Sequence, residues 1–280
     1  MFEVLITTNG FKGTWPAIEY GAWFAEAMQM KVTLLGVTEK LKPASINDYL
    51  PLEAVFERAV GLFTSKGLAY SLEIQNGDAE QVIPQKANGR EFITVVSPLG
   101  RPPLRRWLTG RSIRPLMEAI TRPILYVPEL RLPLKKILVS IGGLGYEVAA
   151  ENLAFQVAAA VRAEVTIMHV IPPTDLDYPS TRDVREHKND LAQTNTLPGR
   201  GLRTALEIAQ QAGLKANVTA RQGNIVEEIL AEVREGNYDL VCMGSPHSAS
   251  GLRQYYSPNV TAEIAEVAHR PVLTARHKRE

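Results

Sequence analysis

The sequence predicts an α/β protein made of two consecutive copies of one domain, each with a five-stranded parallel sheet flanked by helices. Its 280 residues exceed the usual size of a single domain. Short runs rich in β-branched residues alternate with segments of helical periodicity, a pattern typical of parallel sheets covered on both faces. The same order of segments occurs twice along the chain. We therefore expect the succession βαβαβαβαβ in each copy.

Five segments of the first half have counterparts in the second half. Residues 4–10 correspond to 137–143, 32–37 to 165–170, 77–83 to 223–229, 92–97 to 240–245 and 122–127 to 270–275. The offset is 133 residues for the first two pairs and 148 for the last two, so the second copy is longer. Most of the added length falls in the polar residues 172–200, which we predict to form a surface insertion.

The two domains are predicted to span residues 1–128 and 134–280. The linker between them is short and bracketed by Pro128 and Pro133, which favours a rigid tandem. The first helix is predicted over residues 14–30. Pro16 suits an initial helical turn, and apolar residues recur there at helical spacing: Trp15, Ile18, Ala22 and Ala25.

Composition excludes several classes of function. Lysine and arginine number 31 against 30 acidic residues, so no overall charge attracts nucleic acid or an anionic membrane. No apolar run approaches the roughly 20 residues of a membrane helix, and the single cysteine, Cys242, allows no internal disulfide. We therefore expect a cytoplasmic protein, with Cys242 packed in its apolar segment.

Motifs for catalysis and metal binding are missing from the sequence. The five histidines have no metal-ligand spacing, and neither a Gly-x-Ser-x-Gly elbow nor a Gly-x4-Gly-Lys-Ser/Thr loop occurs. The glycines at 142, 143 and 145 do not complete the Gly-x-Gly-x-x-Gly spacing of a dinucleotide-binding dehydrogenase. We predict no catalytic residues and no metal site.

The segment after the fourth strand of the first copy, from Ser97 to Ser112, is the strongest candidate for a binding loop. Ligands of open α/β sheets bind beyond the carboxyl ends of the strands. Gly100 and Gly110 would let backbone N–H groups approach a phosphate closely. No acidic residue occurs between Glu91 and Glu118, whereas five arginines do: Arg101, Arg105, Arg106, Arg111 and Arg114. Two interpretations of this arginine cluster have equal weight. It forms an anion-binding site, or it is a basic face that is solvated or paired with acids of the other domain.

The order of segments in both copies, together with this loop, resembles a tandem universal stress protein, which has two universal stress protein domains in one chain. The resemblance implies two Rossmann-like domains of the adenine nucleotide α-hydrolase type. Nucleotide-binding members of the family carry Gly-x2-Gly-x9-Gly-Ser/Thr after the fourth strand and an acidic residue at the tip of the first. The adenine contact is made through backbone near the end of the second strand.

Carried onto the first copy, the resemblance implies a site for ATP or AMP. Ser97 stands at the first glycine position of the motif. Arg111 occupies the Ser/Thr position, so the hydroxyl residue, Ser112, comes one position later. Asn9 stands where the family has its acidic residue. Asn9 can bond a ribose hydroxyl but brings no charge for a metal, which argues against a magnesium requirement. The implied nucleotide-binding residues are Asn9, Val37, Ser97, Gly100, Arg101, Gly110, Arg111 and Ser112.

The second copy retains less of the motif. Its aligned candidates for a weaker site are Gly142, Val170, Gly244 and Ser257. Two phosphate glycines are absent, and the neighbouring Pro258 has no N–H to donate. We expect that this copy does not bind ATP as the family's binders do.

Three functional hypotheses follow, and the resemblance favours the first. It is non-enzymatic binding or sensing of an adenine nucleotide in a stress response, mainly by the first domain. The second is a nucleotide-free interaction or scaffold protein with degenerate sites. The third is a weak ATP-hydrolysing or phosphoryl-transfer enzyme that uses the arginine cluster. The resemblance also implies a homodimer, or an intrachain pseudo-dimer formed by the last strands, residues 124–127 and 272–275.

Overall fold

The structure is a computed structural model that describes residues 3–39, 50–99, 112–142, 147–171, 187–245 and 260–276. The chain divides into two compact units, Met1–Leu132 (unit 1) and Pro133–Glu280 (unit 2). The described residues of each unit include a parallel five-stranded sheet with helices. The predicted α/β fold with a parallel sheet is thus confirmed.

Unit 1 contains the strands β1 (Glu3–Thr8), β2 (Val32–Thr38), β3 (Tyr70–Asn76), β4 (Phe92–Val96) and β5 (Ile124–Tyr126). Its described helices are α1 (Trp15–Ala27), α2 (Leu52–Ser65), α3 (Ala79–Gly89) and α4 (Arg114–Ala119), and a 3-10 turn (Lys12–Thr14) precedes α1. The strands lie in the order β3-β2-β1-β4-β5. The chain therefore leaves β1 and β4 in opposite directions, which makes their carboxyl ends a topological switch point.

Helix α1 packs closely on β1 because both present small or apolar residues. Gly21 lies so near Ile6 that a Cβ at position 21 would come within 2.7 Å of it. Pro16 occupies the first turn of α1, as the sequence indicates. The helix ends at Ala27, three residues before the predicted end, because Gln29 adopts a left-handed conformation with φ of 53°.

Unit 2 contains β6 (Lys136–Ile141), β7 (Glu164–Ile171), β8 (Ala216–Gln222), β9 (Leu240–Ser245) and β10 (Val272–Arg276). Its described helices are α5 (Val148–Val161), α6 (Leu197–Gln211), α7 (Ile225–Gly236) and α8 (Val260–Val267). The strand order is β10-β9-β6-β7-β8, so β6 and β9 flank the switch point of this unit. Cys242 of β9 is fully buried, and burial raises the pKa of its thiol.

The insertion predicted over residues 172–200 extends too far at its C-terminal end. Lys188–Gln193 forms a 3-10 helix, and α6 already begins at Leu197. The Thr196 hydroxyl accepts a hydrogen bond from the Gly199 N–H at 3.2 Å and so caps the helix, with a proline in the first turn. The insertion therefore ends before Leu197, where α6 begins.

Within the residues that the structure describes, none of the helices is long and apolar enough to cross a membrane.

Candidate functional site

The switch point of unit 1 places two of the predicted site residues at the carboxyl ends of neighbouring strands. Asn9 directly follows β1 and is 2% exposed, and Ser97 directly follows β4 and is fully buried. Since β1 and β4 are paired in parallel, both residues lie at the same edge of the sheet. Both residues therefore lie at the carboxyl end of the sheet, where the sequence analysis expects a ligand.

The Asn9 side chain pairs with an acidic residue that the sequence analysis missed. Its Nδ2 donates a hydrogen bond to Glu39 Oε2 at 3.0 Å. The other carboxylate oxygen of Glu39 accepts from the Ala79 N–H, at the start of α3, at 3.2 Å. Glu39 follows β2, whose carboxyl end lies beside that of β1. A carboxylate thus stands next to Asn9 even though the acid expected after β1 is absent, and the adjacency of the two strand ends was the signal that could have revealed it.

The turn that follows Asn9 is held by short hydrogen bonds among buried hydroxyls. The hydroxyls of Thr8 and Thr14 lie 2.7 Å apart, and the Thr14 hydroxyl donates to the Phe11 carbonyl oxygen at 2.7 Å. Gly10 adopts φ of 81°, a conformation that favours glycine, and its carbonyl accepts from the Leu50 N–H at 2.7 Å. The position of Asn9 is therefore fixed by both β1 and the 3-10 turn.

Ser97 and Ser112 flank the predicted phosphate loop, and both make internal hydrogen bonds. Ser97 Oγ donates to the Val127 carbonyl oxygen at 2.6 Å, while Ser112 Oγ accepts from the Arg114 N–H at 3.1 Å. The cavity lined by both serines has a volume of about 10 Å³, about the room that one water requires. Helix α4 begins at Arg114, two residues after Ser112, and has six residues.

Several predicted site positions lie outside the described residues. They are Gly100, Arg101, Gly110 and Arg111 of the first copy and Ser257 of the second. Val37 is described and lies inside β2, where it pairs with Gln75 of β3. The ladder from β2 to β1 ends one residue earlier, at Gly36. Val37 is therefore the first residue of β2 beyond the β1 ladder, on the side of the switch point.

In unit 2 the described candidates do not form a phosphate cradle. Gly142 follows β6 and is exposed, and Val170 is a buried residue of β7. Gly244 lies in β9, where a Cβ would come within 2.5 Å of the Glu147 Cα. The close approach of the start of α5 to β9 gives Gly244 a packing role that requires no ligand.

The switch point of unit 2 instead holds a buried group of ionisable side chains. Glu147, which precedes α5, and Glu151, one turn later, are 6% and 3% exposed, and His169 of β7 is 6% exposed. His169 Nδ1 lies 3.0 Å from the Ile141 carbonyl oxygen at the end of β6. This contact gives His169 a structural role.

Burial controls the protonation of this group. Desolvation, and after it the charge of Glu147, raises the pKa of Glu151 to about 7. Desolvation also lowers the pKa of His169, against smaller opposing effects of the Ile141 carbonyl and of Glu147. The sequence analysis missed both glutamates. Glu151 is the second of two acids four residues apart at the start of an apolar helix, a spacing that places them on one face.

Nowhere in the described ranges do three or more histidine, cysteine, aspartate or glutamate side chains lie together in a way that could hold a metal ion.

Comparison with known proteins assigns the family. The sequence model of the Universal stress protein family matches residues 133–276, slightly more than half of the chain. The universal stress protein YxiE of Bacillus subtilis (strain 168) is 26% identical over 149 residues, which are 50% of this chain and 98% of that protein.

Solved structures match the fold of nearly the whole chain. A universal stress protein from Archaeoglobus fulgidus DSM 4304 superposes with a TM-score of 0.70 at 17% identity and covers 99% of this chain and 98% of its own. A functionally unknown protein from Pseudomonas aeruginosa PAO1 superposes with a TM-score of 0.66 at 14% identity, over 98% of this chain and 92% of its own. The fold agrees over both units, and the family model agrees over more than half of the sequence: this chain belongs to the universal stress protein family.

Proposed function

We propose that unit 1 is a second universal stress protein domain and that it binds an adenine nucleotide, ATP or AMP, as a non-enzymatic sensor in a stress response. The observation that carries the proposal is the convergence of Asn9, Val37 and Ser97 at the switch point of unit 1. This is the position at which parallel α/β sheets bind ligands. The repeated order of strands in the two units supports the same assignment.

Each part of the nucleotide has a candidate partner. The backbone of β2 at Val37, beyond the β1 ladder, receives the adenine edge. Ribose hydroxyls donate to the Glu39 carboxylate and accept from the Asn9 amide N–H, because a hydroxyl can do both. The backbone N–H groups at Gly100 and Gly110 and the guanidinium groups of Arg101 and Arg111 bind the phosphates. Ser97 and Ser112 border this loop on either side.

Thermal unfolding in the presence of ATP, ADP or AMP tests the proposal. A nucleotide at a hundred times its Kd stabilises the native protein by about 2.7 kcal/mol, which raises the unfolding temperature. Gly110→Val is expected to abolish the shift because its side chain blocks the approach of a phosphate to the backbone. The matched control, Ser257→Val at the aligned position of the second copy, should retain it. No shift at millimolar nucleotide would sink the proposal, and equal effects of the two variants would show that the assignment to unit 1 is wrong.

A nucleotide-free interaction protein is the second candidate. The observation that favours it is that Asn9 Nδ2, Ser97 Oγ and Ser112 Oγ all make hydrogen bonds within the protein itself. In that case the polar residues of the switch point stabilise unit 1. Asn9→Ala then lowers the unfolding temperature of unit 1, and nucleotide changes the unfolding temperature of neither the parent nor the variant. The enzymatic alternative is recognised by phosphate release at many turnovers per minute that disappears in Arg111→Gln.

A further inference from the structure

A cavity of about 280 Å³ lies in unit 1 between the turn that follows β1 and the N-terminal half of α2. Its walls are predominantly apolar and include Phe11, Trp15, Leu50 and Val55. The lining also includes Thr14 and two cationic side chains, Lys12 and Arg58. One water requires only about 10–15 Å³ by the same measure, so the space suits an organic molecule.

The cavity is lined by other residues than those of the proposed nucleotide site. It is bordered by the start of α1 and by α2, whereas the nucleotide residues lie at the ends of β1, β2 and β4. None of Asn9, Val37, Ser97 or Ser112 contributes to its lining. The two sites are neighbours, because Leu50 of the cavity wall donates its N–H to the Gly10 carbonyl oxygen beside Asn9.

Arg58 determines the charge of the ligand that fits. Its guanidinium carbon lies 3.7 Å from the centroid of the Trp15 ring. The Arg58 side chain is 61% exposed and pairs with Glu19 at 3.9 Å, and Glu19 Oε1 also accepts a hydrogen bond from Trp15 Nε1 at 2.6 Å. A ligand carboxylate at the cavity would therefore meet an exposed guanidinium that keeps N–H groups for it.

We propose that this cavity binds a small apolar monocarboxylate, such as a medium-chain fatty acid or an aromatic acid. The hydrocarbon part lies against Phe11, Trp15 and Val55, where water gains few hydrogen bonds and is displaced favourably. The carboxylate forms a bidentate pair with Arg58, and Lys12 adds a second positive charge. A neutral molecule of the same shape gains the apolar contacts but not the charged pair.

Calorimetric titration with octanoate and with 1-octanol separates these contributions. Octanoate is expected to bind up to about fivefold more tightly than 1-octanol, the ratio that an ion pair with an exposed guanidinium supplies. Arg58→Gln should bring the two affinities together without weakening 1-octanol. The matched control, Arg234→Gln on an exposed position of α7, removes the same charge from unit 2 and should leave the ratio unchanged.

A cavity-filling variant tests the location. Val55 is buried in the wall, and Val55→Phe places a ring in the space, so it should abolish binding of both ligands. Circular dichroism and tryptophan fluorescence verify that this variant folds, and Val55→Leu serves as a smaller substitution if it does not. The proposal is overturned if octanoate fails to bind at low millimolar concentration, binds no better than 1-octanol, or binds the folded Val55→Phe protein as well as the parent.

Discussion

Replacement of Glu151 by glutamine is expected to remove a pH-dependent loss of stability from unit 2. Glu151 is 3% exposed, and burial raises its pKa in the folded protein to about 7, above the ordinary glutamate value of 4.5. A carboxyl whose pKa is raised by folding stabilises the native state below its unfolded pKa, and this stability is lost as pH rises through the folded pKa. The relevant window therefore runs from about pH 4.5 to slightly above pH 7.

The magnitude follows from the two pKa values. A shift from 4.5 to about 7 corresponds to about 3 kcal/mol between fully protonated and fully ionised states, most of which is lost between pH 5 and pH 8. Glutamine resembles the protonated carboxyl and does not titrate. The variant should thus be more stable than the parent at pH 8 by about 3 kcal/mol and by less than about 1 kcal/mol at pH 5.

His169 acts in the opposite direction. Its pKa is lowered in the folded protein, so it contributes stability at high pH that is lost as pH falls below its usual value of 6.5. In the parent protein, the pH dependence of the free energy of unfolding contains contributions from both Glu151 and His169. The difference between parent and Glu151→Gln at each pH cancels most of the histidine contribution and isolates Glu151.

The distribution of probes in the sequence allows each unit to be followed separately. All three tryptophans, Trp15, Trp23 and Trp107, belong to unit 1, and the single cysteine, Cys242, is fully buried in unit 2. In a urea titration, tryptophan fluorescence reports unit 1, and the fraction of Cys242 labelled by a brief pulse of thiol reagent reports unit 2. A difference between parent and variant that is the same at pH 5 and pH 8 would refute the reasoning.

Three further substitutions test packing and capping, each read from denaturant unfolding. Gly244→Ala should destabilise unit 2 by about 1–3 kcal/mol, since the new methyl meets the backbone of Glu147, whereas Gly142→Ala, with open space around it, should be nearly neutral. Gly61→Ala on the exposed face of α2 should stabilise unit 1 by about 0.5–1 kcal/mol. Asn224→Ala should cost about 1 kcal/mol because the side chain caps α7 through the N–H groups of its first turn.

The fold was predictable because its signals are local. The apolar run predicted over residues 32–37 corresponds to β2 (Val32–Thr38), and that over 92–97 corresponds to β4 (Phe92–Val96). Both strands are buried on both faces, so burial requires a continuous apolar run. Boundaries were less predictable where a short conformational feature decides them, as at the left-handed Gln29 after α1 and at the Thr196 cap before α6.

The candidate site was predictable in position but not in chemistry. Asn9 and Ser97 follow from the ends of strands, whereas the pairing of Asn9 with Glu39 joins residues 30 positions apart. The burial of Glu151 depends on packing that brings α5 against β9 and β7, and no local pattern contains that information. Contacts between distant segments therefore decide which charges the site holds, and the sequence alone does not specify them.

The two switch points have the same backbone arrangement but opposite suitability for an anion. In unit 1 the acid of the switch point, Glu39, is bonded by the Asn9 amide and by an N–H at the start of α3, which disperse its charge. In unit 2 two carboxyls are buried together, and the raised pKa of Glu151 reflects its desolvation first and the charge of Glu147 second. A phosphate brought to that point would add further negative charge beside Glu147 and Glu151. This difference supports the proposal that unit 1 is the nucleotide-binding half, and it does so independently of the glycine motif.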